Sequence, residues 1–340
     1  MDKFLLRRKV AELFIIRSSG HSYDNQRLYP HVESSNEQLY KLIKAGIGGV
    51  IFYGGSVKEL KEKCLLCQKW ARKPLLLCAD VEEGIGQRFH GGTSFVPPMG
   101  VAQIFRNNPT LAIDIAEKYG RFIGEEASKC GLNWVLAPVC DINTNPRNPV
   151  INLRAWGEDP ETVSTLVCAF QRGVESQGVL TCAKHFPGHG DTDIDSHLEL
   201  PTINHNLSRL KSLELLPFQS LIKEGVNSLM TGHLLLKKID AEYPATLSKT
   251  LLTNLLRREM GFDGLVVTDA LVMQALSHSY GADQSALLAF EAGADLLMMP
   301  KTPWSAIDAM VDSIATGRFS MDRLHQSLER RQKELKKVKD

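Results

Sequence analysis

Eight short, continuously apolar runs recur along this 340-residue chain, and each is followed by a helical pattern. They are Leu13–Arg17, Gly49–Tyr53, Pro74–Asp80, Asn133–Val139, Val179–His185, Ser228–His233, Gly264–Asp269 and Asp295–Pro300. None alternates apolar with polar, as a half-solvated strand would. Unbroken apolar runs of this length are the pattern of parallel strands covered on both faces. The intervening helices carry their own end signals. Asp159-Pro160-Glu161 reads as an N-cap followed by proline at the first helical position. Gly225 and Gly261 read as helix stops. Eight β-then-α units with no linker predict an α/β fold of the (β/α)8 TIM-barrel type. The expectation is one domain over residues 1–340, with an N-terminal helix over 1–12 and a C-terminal helix over 320–340. A doubly wound open sheet is the alternative. Its phosphate turn is only half present, because Gly84-Ile85-Gly86 is followed by Phe89 where a third glycine belongs.

The balance of 40 basic and 39 acidic residues leaves a formal charge of +1. That argues against a nucleic-acid or anionic-membrane footprint. No apolar run reaches membrane-spanning length. The first residues lack the apolar stretch of a secretion signal, so the expectation is a cytoplasmic protein. Seven cysteines are scattered along the chain. Cys78, Cys140 and Cys182 lie in apolar, strand-like stretches that suit reduced thiols. Cys64 and Cys67 have Cys-x-x-Cys spacing, but they fall in a helical pattern without a second pair and read as a buried helix face.

In a barrel, the C-terminal ends of the strands converge on one rim, and that rim carries the chemistry. The third run delivers Asp80, the fifth Lys184 and His185, the sixth His233 and the seventh Asp269. Asp269 follows directly on Leu265-Val266-Val267-Thr268. A carboxylate there needs partners or a task, and capping the next helix is the structural alternative.

The segment from Lys184 to His197 holds three histidines, three aspartates and a lysine, and its Pro-Gly-x-Gly core stops strand and helix alike. Asp195 and His197 are two apart, so an extended backbone projects both to one side. The carboxylate can then fix the imidazole tautomer and support the cation formed on protonation. Metal readings are weaker. His185 and His189 are separated by Pro187 and Gly188, which forbid an aligning helix. The Asp191/Asp193/Asp195 series lacks the glycine and closing glutamate of a calcium loop. No metal or cofactor is expected.

Taken together, these residues resemble glycoside hydrolase family 3, and within it the bacterial β-N-acetylglucosaminidases. The pattern Lys-His-Phe-Pro-Gly-His-Gly followed by Asp-Ser-His stands complete from Lys184 to His197. The resemblance continues through Ala137–Ile142, Arg154–Pro160, Met230–His233, Pro244–Ser248 and Gly261–Leu271. It implies a barrel that cleaves terminal β-linked N-acetylglucosamine with retention of configuration. By position, Asp269 resembles the nucleophile, His197 the acid/base and Asp195 its partner. Asp80, Arg154, Lys184 and His185 resemble the residues that hold the sugar. It also implies a carbohydrate partner, namely N-acetylglucosamine-containing muropeptides of cell-wall recycling, and a monomer is expected. Glu83 departs from the family's Asp-x-Glu-Gly-Gly, which puts the backbone path beside Asp80 in question. The chain stops soon after the eighth unit, so the second domain of many family members is expected to be absent.

The chemistry is self-consistent. A retaining glycosidase needs a carboxylate nucleophile beside a proton donor. Imidazole, with an ordinary pKa of about 6.5, serves as donor near neutrality with little tuning. The alternatives are a β-glucosidase of the same family, an N-acetylglucosaminide phosphorylase, a metal-dependent barrel hydrolase and a non-catalytic sugar-binding barrel.

Overall fold

A computed structural model describes residues 2–18, 34–195 and 199–338. His197 lies outside the described residues. All eight expected strands form, as β1 (Phe14–Arg17), β2 (Gly49–Ile51), β3 (Leu76–Ala79), β4 (Trp134–Val135), β5 (Leu180–Phe186), β7 (Ser228–Thr231), β9 (Leu265–Thr268) and β10 (Leu297–Met298). Two further short strands, β6 (Thr202–Ile203) and β8 (Leu235–Leu236), make a separate parallel ladder. The eight pair in parallel in the order β10-β1-β2-β3-β4-β5-β7-β9. A parallel bridge from Val267 to Leu296 joins the two edges, so the sheet closes into a (β/α)8 barrel.

The apolar runs divide by alternation onto two faces. Ile15, Ile51, Leu76, Cys78, Trp134, Leu180, Cys182, Met230, Leu265 and Val267 fill the barrel interior. Their neighbours Phe14, Val50, Leu77, Val135, Ala183, Leu229 and Val266 join the larger core between sheet and helices. Period-two geometry then continues past each strand end. Asp80, Lys184 and Asp269 extend the inward series of β3, β5 and β9. One polar chain crosses the interior: Trp134 Nε1 donates to Ser228 Oγ at 2.9 Å, and Ser228 Oγ donates to the Thr181 carbonyl at 2.6 Å. This satisfies groups that would otherwise be costly to bury.

The helices start and stop as their sequence signals predict. Asp159 caps the helix Pro160–Glu175 by accepting from the Thr162 N–H at 2.9 Å. Gly225 and Gly261 take positive φ after their helices. Cys64 and Cys67 lie on the buried face of the helix Val57–Trp70. The N-terminal helix is Lys3–Ala11 and the last is Met321–Leu335. Arg331 on that last helix donates to the carbonyls of Gly48 at 2.7 Å and Pro74 at 2.8 Å, fastening it across the barrel floor. Among the described residues, no helix is long and apolar enough to cross a membrane.

Candidate active site

The strand register sets the rim. Phe186 pairs with Thr231, and Thr231 with Thr268, so β5, β7 and β9 end level, and Asp269 stands one residue beyond. Asp80 stands one residue beyond β3. Both carboxylates lie close enough to raise the Tyr53 hydroxyl further, on top of the larger effect of burial.

Asp80, Lys184 and Arg154 form one connected network. The buried Lys184 ammonium lies 2.8 Å from Asp80 Oδ1 and 2.6 Å from Glu82 Oε1. Arg154 donates from Nε and Nη2 to the two oxygens of Glu82, each at 2.8 Å. Its Nη1 donates to the Val150 carbonyl at 3.0 Å. Asp80 Oδ2 accepts from the Tyr53 hydroxyl at 3.1 Å. The Arg17 guanidinium lies 4.4 Å over the Tyr53 ring, and Arg88 Nε donates to the Asp80 carbonyl at 3.1 Å. Burial raises the Asp80 and Glu82 carboxyl pKa values. The adjacent cations more than offset it and hold both below the usual carboxylate range, Glu82 well below.

His185 is fixed differently. The Asp141 carboxylate, fully buried, accepts from His185 Nδ1 at 2.7 Å and from the backbone N–H groups of His185 and His189. A carboxylate only accepts, so Nδ1 carries the hydrogen. His189 is buried, with Nδ1 2.8 Å from Thr192 Oγ1. Burial, then the neighbouring His185, push its pKa down to about 4. It is therefore neutral at working pH. His233 is held inside the fold: its Nε2 donates to the Ala270 carbonyl at 3.1 Å, while Nδ1 lies 2.8 Å from Thr246 Oγ1.

Asp269 is half-buried, and its Oδ1 accepts from the Ala270 N–H at 2.7 Å. It is not the cap of the next helix, since Gln274–Tyr280 starts after Met273. Asp195 is half-buried on the segment after β5, and its carbonyl accepts from the Glu199 N–H at 3.1 Å. The feet of that segment are tied. Asn145 and Asn148 donate to the Thr192 carbonyl and Oγ1, and Asp191 pairs with His205 Nε2 at 2.5 Å. Glu83 sits in the ordinary negative-φ region. Gly84 takes the positive φ of 102°, and an added Cβ there would meet the Thr93 carbonyl at 2.3 Å. Only the second residue of this turn requires glycine, so Glu83 fits without disturbing Asp80.

Sequence reasoning missed Glu82, Asp141, Tyr53 and Arg88 as members of this set. Asp80 and Glu82 share the i, i+2 spacing that singled out Asp195 and His197, so Glu82 was open to the same argument.

A closed parallel barrel presenting carboxylates and fixed cations at its C-terminal rim is the architecture of barrel-type sugar hydrolases. The chain belongs to glycosyl hydrolase family 3: the family described as glycosyl hydrolase family 3 N terminal domain matches residues 5–333. The chain is 32% identical over 325 residues to β-hexosaminidase A of Pseudoalteromonas piscicida, covering 86% of this chain and 54% of that protein. It is 33% identical over 274 residues to a β-hexosaminidase of Neisseria meningitidis, covering 79% of this chain and 75% of that protein. The solved family 3 β-N-acetylglucosaminidase of Paenibacillus sp. FPU-7 superposes with a TM-score of 0.86 at 34% identity, covering 98% of this chain and 62% of that one. The chain thus spans about half the length of the first of these relatives and about three quarters of the second.

Proposed function

We propose that this protein is a retaining exo-β-N-acetylglucosaminidase that acts on N-acetylglucosamine-containing muropeptides in the cytoplasm, as a monomer built on a single barrel domain. The observation that carries the reading is the register of the rim. It points Asp269 inward from β9, as it points Asp80 and Lys184 inward from β3 and β5. The β-hexosaminidase and β-N-acetylglucosaminidase relatives support the same sugar.

Asp80, Lys184, Arg154 and His185 hold the terminal sugar through its hydroxyls and acetamide. These groups are already held in place, Lys184 by Asp80, Arg154 by Glu82 and His185 by Asp141, so little ordering is left to do on binding. An Asp269 carboxylate oxygen attacks the anomeric carbon as the bond to the leaving oxygen breaks. His197, supported by Asp195, gives its proton to that oxygen. His197 then takes a proton from water, the hydroxide attacks the anomeric carbon, and the Asp269 ester bond breaks to release the sugar with net retention. The chemistry assigned to these residues needs no metal or cofactor.

The test is covalent trapping with a fluorinated N-acetylglucosaminyl donor, read by peptide mass spectrometry. The expected adduct sits on the peptide carrying Asp269 and is absent from Asp269→Asn. An adduct on another carboxylate, or turnover that chelators abolish, overturns the reading. Product analysis in phosphate buffer separates hydrolysis, which gives free sugar, from phosphorolysis, which gives the sugar 1-phosphate.

A further inference from the structure

Two carboxylates stand two residues apart on the turn after β3, yet they occupy different depths. Asp80 keeps 16% of its side-chain surface exposed, whereas Glu82 keeps 3%. Val81 between them points into the core with no exposure. Asp80 is placed to meet a ligand, and Glu82 lies behind the two cations it contacts. Glu82 accepts from both Nε and Nη2 of Arg154 and pairs with the Lys184 ammonium at 2.6 Å. Arg154 has five N–H donors in a fixed plane. Two go to Glu82 and one to Val150, which leaves one on each terminal nitrogen without a partner among the described residues. Lys184 donates to Asp80 and is ion-paired with Glu82.

We propose that Glu82 is the positioning residue of the sugar site: a buried carboxylate that does not touch substrate but fixes the direction of the donors Arg154 and Lys184 offer to it. This inference rests on the sugar-holding role proposed above for those two cations. Its physical content is pre-organisation. Arg154 reaches the site from a turn 72 residues further along the chain, and Lys184 from β5. Among the described residues, Glu82 is ion-paired with both. With an uncharged amide in its place, one hydrogen-bonding oxygen remains and the other becomes an NH2 that faces a cation's donors. The guanidinium then loses its two-point grip and turns freely about its side-chain bonds. Asp80 still neutralises Lys184, so the fold keeps most of its charge balance while the donors lose their aim.

The test compares Glu82→Gln, Arg154→Ala and the double variant on an aryl N-acetylglucosaminide, with free N-acetylglucosamine as inhibitor. Glu82→Gln is expected to raise both KM and the inhibition constant by about tenfold or more, as loss of a charge-assisted contact does. The double variant is expected to lose less than the product of the two single losses, because part of the Glu82 effect runs through Arg154 and only the rest through Lys184. A merely structural role would give losses that multiply, and that result overturns the proposal. So does a Glu82→Gln enzyme with unchanged KM and inhibition constant while Arg154→Ala is impaired. If Arg154→Ala itself binds the sugar normally, the sugar-holding reading fails first, and the two failures are told apart. Should Glu82→Gln not fold, Glu82→Asp keeps the charge but withdraws it by one methylene. With a native circular-dichroism spectrum, it is expected to show the same rise in KM and inhibition constant; native binding by that variant overturns the proposal.

Discussion

The His185 imidazole is held by Asp141 from two directions, through its ring Nδ1 at 2.7 Å and through its own backbone N–H at 3.1 Å. The same carboxylate also takes the His189 N–H at 2.6 Å, so one buried charge orders both ends of the His185–His189 segment. Burial raises the Asp141 carboxyl pKa, but His185 and His189 together bring it below its ordinary value. Asp141→Asn puts an amide NH2 among three donors. The expected outcome is a roughly 10- to 100-fold fall in kcat/KM, the cost of one charge-assisted hydrogen bond. Steady-state kinetics on a protein with native circular dichroism checks it.

Replacing His197 with Ala removes the proposed proton donor. Phenolates with strongly acidic conjugate phenols leave without help, while alkyl or disaccharide leaving groups do not. The expected loss is small on the first and roughly 10²- to 10⁴-fold on the second. A leaving-group series at constant pH measures this, and equal losses across the series count against His197 as the acid.

His189 makes stability fall in acid. Its folded pKa of about 4 lies below the ordinary 6.5, so the unfolded chain binds the extra proton between those values. Stability from this group is fully present above about pH 6.5 and is lost as pH falls toward 4, by roughly 3 kcal/mol in all. Thermal unfolding of the protein and of His189→Gln across that window is the measurement. The variant's melting temperature is expected to fall less steeply with acid.

Gly190 has no room for a side chain. A Cβ there would stand 1.7 Å from the Ile142 carbonyl oxygen, which is backbone and cannot swing away. Gly190→Ala is expected to destabilise the fold by about 1–3 kcal/mol and to displace the segment that leads to Asp195. Denaturant unfolding and kcat, measured together, check both parts.

The barrel was legible because parallel strands buried on both faces must be apolar throughout, and eight such runs leave few other closures. Asp80, Lys184 and Asp269 were legible as rim residues for a related reason: each is a charged residue at or near the end of an apolar run. Glu82 and Asp141 were not legible as site members, because their meaning lies in partners 72 and 44 residues away. Local spacing carries no trace of such pairings. The ladder of β6 and β8 escaped notice because two residues per strand give no period to detect. His233 stands at its strand end as expected, with both ring nitrogens within hydrogen-bond reach of groups inside the fold, a pairing that strand-end position alone does not reveal.

Arg331 sets a schedule for synthesis. The carbonyls of Gly48 and Pro74 that it satisfies leave the ribosome 283 and 257 residues earlier. At roughly 5–20 residues per second, that is an interval on the order of 15–60 s. Through it the nascent first strands stand without the brace that later fastens them.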